Sequence, residues 1–194
     1  MGKFEVSYDY NLVVNGTNLF VTDGGSDRIR VFNINSDGSI TPKFFFGKEG
    51  NNLGEFRRPN GIAIKGNYLY IGDSINYRIQ VFNINSDGSI TPKFSFGKEG
   101  KNLGEFGKFA KIFLPEYINL VIKDNYLYVT DSNNYRIQVF KINFDGSLLP
   151  KFSFGKGEKG FGDFGIPYAM AIKDNYLFVT DAGLHRIQVL EIKY

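Results

Sequence analysis

Apolar and polar residues follow one another along this chain in short runs, and none of the runs keeps a helical period. The second copy of the pattern shows it most clearly. Gly61-Ile62-Ala63-Ile64-Lys65 is ended by Gly66-Asn67, and Tyr68-Leu69-Tyr70-Ile71-Gly72-Asp73 follows. Arg78-Ile79-Gln80-Val81-Phe82-Asn83-Ile84 comes next, then Ile90-Thr91-Pro92-Lys93-Phe94-Ser95-Phe96. Each run is dense in β-branched and aromatic residues, which suit a pleated, half-buried surface, so the pattern predicts four short strands. Gly66-Asn67 is a tight turn that tolerates positive φ. Asp124-Asn125 and Asp174-Asn175 take its place in later copies, and Asp37-Gly38, Asp87-Gly88 and Asp145-Gly146 separate the third run from the fourth. Pro42, Pro92 and Pro150 lie in the fourth run. Proline has no N–H to give a ladder, so this run is expected at the outer edge of the sheet.

The unit repeats. Asp-x-x-x-x-Arg-Ile occurs as Asp23 to Arg28, Asp73 to Arg78, Asp131 to Arg136 and Asp181 to Arg186. The Asp residues stand 50, 58 and 50 positions apart. A period of this size marks an array of supersecondary units. Residues 28–56 and 78–106 differ only at Arg30/Gln80, Phe45/Ser95 and Asn51/Lys101, as after duplication of one unit. A four-stranded antiparallel meander cannot bury both of its faces alone, and radial stacking in a β-propeller gives it a neighbour on each side. The expected fold class is all-β: a propeller of four-stranded antiparallel blades.

The chain resembles the NHL-repeat family of β-propellers. The resemblance rests on Pro-Asn-Gly-Ile-Ala-Ile (59–64), Tyr-Leu-Tyr-Ile-Gly-Asp-Ser (68–74), Asn-Tyr-Arg-Ile-Gln-Val-Phe (76–82) and Phe-Gly-Lys-Glu-Gly (96–100), and continues through residues 134–140 and 184–189. It implies the fold across nearly the whole chain and does not single out an activity. The family includes RNA-binding propellers, protein-interaction scaffolds and metal-dependent enzymes of related architecture. The repeats here are longer and fewer than is usual for it.

A single domain over 1–194 is expected, with blades at about 10–46, 61–96, 118–154 and 168–192. The last copy stops after its third strand, and Lys3-Phe4-Glu5-Val6 would supply the missing outer strand. Such a closure gives a four-blade ring and removes an exposed sheet edge. The alternative is that the four blades are part of a larger ring, for example a six-bladed one, completed by another copy or by further sequence. The chain is therefore expected as a monomer, or as a dimer if one chain does not close the ring.

Composition narrows the function without naming it. The chain has 194 residues, enough for one well-cored domain, with 20 Phe, 12 Tyr and no Cys. The missing cysteines exclude disulfides and thiolate metal sites. A net charge of +3 falls short of the dense basic patches of nucleic-acid binders. The start has no signal-peptide apolar region, which with the absence of cysteines favours a cytoplasmic location. Met1-Gly2 fits a myristoylation start poorly, because Ser7 comes one place late.

Four Asp residues in register invite the reading of a carboxylate ring holding a channel cation through oxygen ligands. Their coupling to Arg28, Arg78, Arg136 and Arg186 favours a structural role instead, each Asp fixing its own turn. No resident cofactor is expected, with a channel cation as the alternative. His185 is the single histidine and aligns with Asp27, Tyr77 and Tyr135, so a turn-surface role is expected. No Gly-x-Ser-x-Gly elbow is present, and the Gly47-Lys48-Glu49-Gly50 type of loop lacks the phosphate-binding pattern. No catalytic residue is assigned.

The copies differ most in the loops of one propeller face. Arg57 and Arg58 lie in the first long connection, Lys108, Phe109, Lys111 and Phe113 in an eight-residue insertion in the second. Tyr10, Asn60, Ile118 and Tyr168 are expected at the channel mouth, with Tyr77, Tyr135 and His185 on neighbouring turns. The apolar insertion over 107–118 reads equally as a binding lip, a dimer contact or a plug over its own channel. The function expected is a non-catalytic binding or scaffold module for a protein or peptide. The alternatives are a metal-dependent hydrolase or lyase, and single-stranded RNA binding through the basic and aromatic residues.

Overall fold

The computed structural model describes residues 11–108 and 117–193. Blade 1 comprises β1 (Leu12–Asn15), β2 (Asn18–Asp23), β3 (Arg28–Ile34) and β4 (Ile40–Phe46). Blade 2 comprises β5 (Pro59–Lys65), β6 (Tyr68–Asp73), β7 (Arg78–Ile84) and β8 (Ile90–Phe96). Blade 3 comprises β9 (Leu120–Lys123), β10 (Tyr126–Asp131), β11 (Arg136–Ile142) and β12 (Leu148–Phe154). Blade 4 comprises β13 (Pro167–Lys173), β14 (Tyr176–Asp181) and β15 (Arg186–Glu191). Each sheet is an antiparallel meander in chain order, and the four together form a four-blade β-propeller. Blade 4 has three strands among the described residues. Its expected fourth strand, residues 3–6, lies outside them, as does Tyr10.

The turns follow their chemistry. Gly16, Gly66, Asp124 and Asp174 adopt φ of 58°, 57°, 52° and 53° at the same place in the four copies, between the first and second strands. The proline strands β4, β8 and β12 are outermost. In each of them the register shifts beside the proline, for example between Val31 and Phe32 where Phe32 faces Pro42. A bulge in an edge strand is where a missing N–H costs least.

Alternate faces of each sheet bury in the seams between blades. Phe20, Ile29 and Val31 of blade 1 meet Ile62, Leu69, Ile71 and Phe82 of blade 2. Ala63, Tyr70, Ile79 and Val81 of blade 2 meet Leu120, Leu127, Val129 and Phe140 of blade 3. Tyr128, Ile137 and Val139 of blade 3 meet Leu177 and Val179 of blade 4. Each seam is also filled by one phenylalanine from the preceding connection: Phe56, Phe106 and Phe164, at most 2% exposed. The inner strands pack in sequence, β1 on β5, β5 on β9 and β9 on β13. Among the described residues no packing of that extent joins β13 to β1.

Gly61 shows how closely the inner strands approach. A Cβ there would overlap the carbonyl of Ile118 in the next blade. Backbone cannot yield as a side-chain tip can, so Gly61→Ala should destabilise the fold by about 1–3 kcal/mol. A thermal melt followed by circular dichroism should show a lowered Tm. An unchanged Tm would mean that the two strands can separate freely.

Candidate functional site

The second and third strands of each blade are joined by a turn that carries the repeated Asp and Arg. Asp73 ends β6. Its Oδ2 accepts from Arg78 Nε at 2.7 Å, Asn76 Nδ2 at 2.9 Å and Gln80 Nε2 at 3.0 Å. Its Oδ1 accepts from the Arg57 N–H at 2.7 Å. The Nη atoms of Arg78 then donate to the carbonyls of Asn51, Asn52 and Glu55. Asp131 and Arg136 repeat this on the second connection, where Gly107 N–H donates to Oδ1 and Arg136 holds the carbonyls of Lys101, Asn102 and Glu105. Asp181 and Arg186 repeat it on the third, with Gly165 and Ile166 N–H groups and the carbonyls of Lys159, Gly160 and Asp163. The pair is thus a clamp that fastens each connection to the blade it enters.

Blade 1 differs. Asp23 Oδ2 accepts from Arg28 Nε at 3.1 Å and from Arg30 Nε at 2.7 Å, Arg30 standing where the other blades have Gln. Its Oδ1 is buried and has no hydrogen-bond partner among the described residues. The clamp of blade 1 holds no connection among the described residues.

Charge follows these surroundings. Burial pushes the Asp73 and Asp131 carboxyls above the ordinary aspartate value, against the pull of the Arg57 or Gly107 N–H, the asparagine and the arginine. Burial also raises Asp23, but the Arg28 hydrogen bond and the Arg30 charge outweigh it and hold this carboxyl low. A carboxyl lower in the folded chain than in the unfolded one contributes stability above the unfolded value, about 3.9. That contribution is lost as the pH falls through the folded value. In Arg30→Gln the depression is smaller, so Tm should fall less steeply on acidification than in the wild type. A parallel fall in the two proteins would refute the assignment to Arg30.

The four Asp side chains therefore serve their own blades rather than one channel site. Among the described residues no group of three or more His, Cys, Asp or Glu is placed to hold a metal ion.

Asp27, Tyr77, Tyr135 and His185 occupy equivalent turn tips, at φ of 52°, 55°, 59° and 50°. Tyr77 leans on the seam between blades 2 and 3, whereas Tyr135 is 47% exposed and His185 is exposed. Arg57 pairs with Glu49 at 3.6 Å, and Lys108 with Glu99 at 3.5 Å, all four on the surface. Arg58 also has positive φ, and its N–H donates to Asp27 Oδ1 at 2.7 Å, tying the first connection back to blade 1. Phe109, Lys111 and Phe113 lie outside the described residues.

At the inner ends of the blades, Asn60 and Ile118 are buried, not open to a ligand from solvent. Ile118 belongs to the seam between blades 2 and 3. Asn60 Oδ1 accepts from the Ile118 N–H at 3.2 Å and Ser74 Oγ at 3.3 Å, while its Nδ2 has no partner. Tyr168 is 39% exposed, and its ring meets that of Tyr117 edge-on with centroids 4.2 Å apart. Ser132 Oγ bridges these two strand starts by donating to the carbonyls of Tyr117 and Pro167. The face thus brings together Tyr117, Tyr168 and Ser132 around the start of blades 3 and 4. Tyr117 stood among the apolar residues of the 107–118 insertion, whereas Ser132 carried no signal of its own in the sequence. Only the repeat alignment, which sets it beside the buried Ser74, points to Ser132.

This geometry defines a β-propeller repeat protein. Residues 57–79 and 118–137 match the family described as the LVIVD repeat, itself a β-propeller repeat. Both stretches begin in a connection and run through the turn with the Asp–Arg clamp. Comparison with curated proteins gave no significant match. Among solved structures, a functionally unknown protein from Desulfotomaculum acetoxidans superposes with a TM-score of 0.70 at 17% identity, over 99% of this chain and 57% of that one. A putative 6-phosphogluconolactonase from Bacteroides uniformis gives 0.67 at 17% identity, over 95% and 50%. The periplasmic gluconolactonase PpgL of Pseudomonas aeruginosa gives 0.60 at 14% identity, over 93% and 48%. The chain spans about half the length of these three structures.

Proposed function

We propose that this propeller is a non-catalytic binding or scaffold module, with NHL-like repeats, that engages a protein or peptide on its loop face. The observation that carries this reading is the aromatic ledge of Tyr117 and Tyr168. Exposed tyrosines offer a large contact area with a polar tip and little conformational entropy to lose, which suits recognition. The acidic groups of the blade turns are already committed to holding connections, so they are poorly placed to move protons for a substrate. Arg57 and Lys108 lie at the rim of the same face, where their charges would steer an acidic partner.

A screen of displayed peptides against wild type and Tyr168→Ala tests it. Selected peptides should lose roughly tenfold or more in affinity for Tyr168→Ala, as for an interface anchor. Equal binding by the two proteins would reject the ledge as the site.

Two of the structural neighbours bear the names of gluconolactonases, which favours a second reading, hydrolysis of a sugar lactone. Hydrolysis of gluconolactone or its 6-phosphate above the spontaneous rate, abolished by a chelator, would favour the enzyme over the scaffold. Single-stranded RNA binding is tested by a mobility shift across salt, where phosphate contacts demand a steep loss of affinity.

A further inference from the structure

Among the described residues, two sheet faces of this molecule have the chemistry of a blade seam and no blade against them. On blade 4 the open face carries Ala171, Tyr176, Phe178, Ile187 and Val189. By the repeat these residues stand where Ala63, Tyr68, Tyr70, Ile79 and Val81 stand on blade 2. There Ile79 and Val81 are fully buried, and Ile137 and Val139 of blade 3 are 0% and 1% exposed. On blade 4, Ile187 is 67% and Val189 is 42% exposed. On blade 1 the open face carries Leu12, Val14 and Ile40, exposed by 65%, 54% and 37%. Of their counterparts, Ile62 on blade 2 and Leu120 and Leu148 on blade 3 are buried, while Ile64, Ile90 and Ile122 are partly buried.

Two further features mark the same open seam. Among the described residues the buried Asp23 Oδ1 lacks the backbone N–H that a connection donates to its counterparts in blades 2, 3 and 4. Finally, β13 and β1 do not pack together as neighbouring inner strands do.

We propose that two copies of this chain join head to tail, blade 4 of each against blade 1 of the other, to complete an eight-blade ring. A blade 4 face is built to receive a face of the blade 1 kind, and the chain that carries the one carries the other. The contact is heterologous, and it closes after two copies because four blades span half a ring. The overlap with about half of longer propeller chains is the same proportion. Two such seams bury two apolar strand surfaces each, in the manner of an obligate interface, and leave neither apolar face in water.

Light scattering on wild type should give about twice 22.0 kDa, and Tm should rise with protein concentration, as for a folded state stabilised by association. Ile187→Asp and Leu12→Asp each place a charge in both seams of the ring, and each should give a folded 22.0 kDa species with the wild-type far-ultraviolet spectrum. Mixed in equal amounts, the two variants should associate again, because one of the two seams then contains neither substitution. A wild type that stays at 22.0 kDa with a concentration-independent Tm would overturn the proposal, since the chain would close itself or use another occupant. Assemblies larger than two copies would overturn the half-ring geometry. A Leu12→Asp protein that remains dimeric would overturn the head-to-tail contact in favour of blade 4 against blade 4.

Discussion

Asp131→Ala should cost about 3–5 kcal/mol, the loss expected when one partner of a buried ion pair is removed. The carboxylate is 2% exposed and accepts from Arg136, Asn134, Gln138 and the Gly107 N–H. Alanine leaves all four donors without that acceptor, in a place that water reaches poorly. The damage should also spread, because Arg136 holds three carbonyls of the second connection and is itself aligned by Asp131. For a chain of this size such a loss lowers Tm on the order of 10 °C. Urea unfolding should show a lower midpoint. A drop below about 1 kcal/mol would mean that the clamp contributes no more than a surface ion pair.

Phe140→Ala should cost a comparable amount, about 3–5 kcal/mol, through a different cause. Phe140 is fully buried in the seam between blades 2 and 3, where the ring of Phe96 meets it edge-on at 5.4 Å. Removing the ring opens a cavity between two sheets that are tied together by strand backbones and cannot collapse onto it. Phe144→Ala and Phe161→Ala provide the contrast. These rings are fully exposed and 81% exposed, and their loss should change stability by no more than about 0.5 kcal/mol. Urea titrations of the three variants separate the cases. Equal effects would show that the seams do not carry the stability of the ring.

The strands were legible in the sequence because each run is short, rich in β-branched and aromatic residues, and bounded by turn residues. The order within a blade was legible because proline must sit at an edge, and β4, β8 and β12 are edge strands. The link between Asp and Arg could be seen as a repeated spacing, but its work on the connection could not. Nothing local to Asp73 shows that Arg78 will reach the carbonyls of Asn51, Asn52 and Glu55. The mouth was less legible. Counting back from the Asp residues finds the inner strand starts, yet Asn60 and Ile118 are buried there, because neighbouring inner strands approach until only glycine fits at position 61. Phe56, Phe106 and Phe164 could have been found from the same alignment. Each precedes the repeated Asp by 17 or, across the insertion, 25 positions, a phase that the loop-like composition around them conceals.

The turn tips have a consequence for how this molecule could change. Tyr77, Tyr135 and His185 hold a backbone conformation that L-residues with large side chains adopt at a cost of roughly 1–2 kcal/mol. The chain sustains that cost at one angular position per blade, where glycine or asparagine would lower it. Bulky groups are therefore displayed at regular intervals around one rim, on supports whose shape the clamp beneath them fixes. The exposed side chains of Tyr135 and His185 can be exchanged without disturbing a strand, so the rim can acquire a new chemical surface there while the scaffold stays as it is.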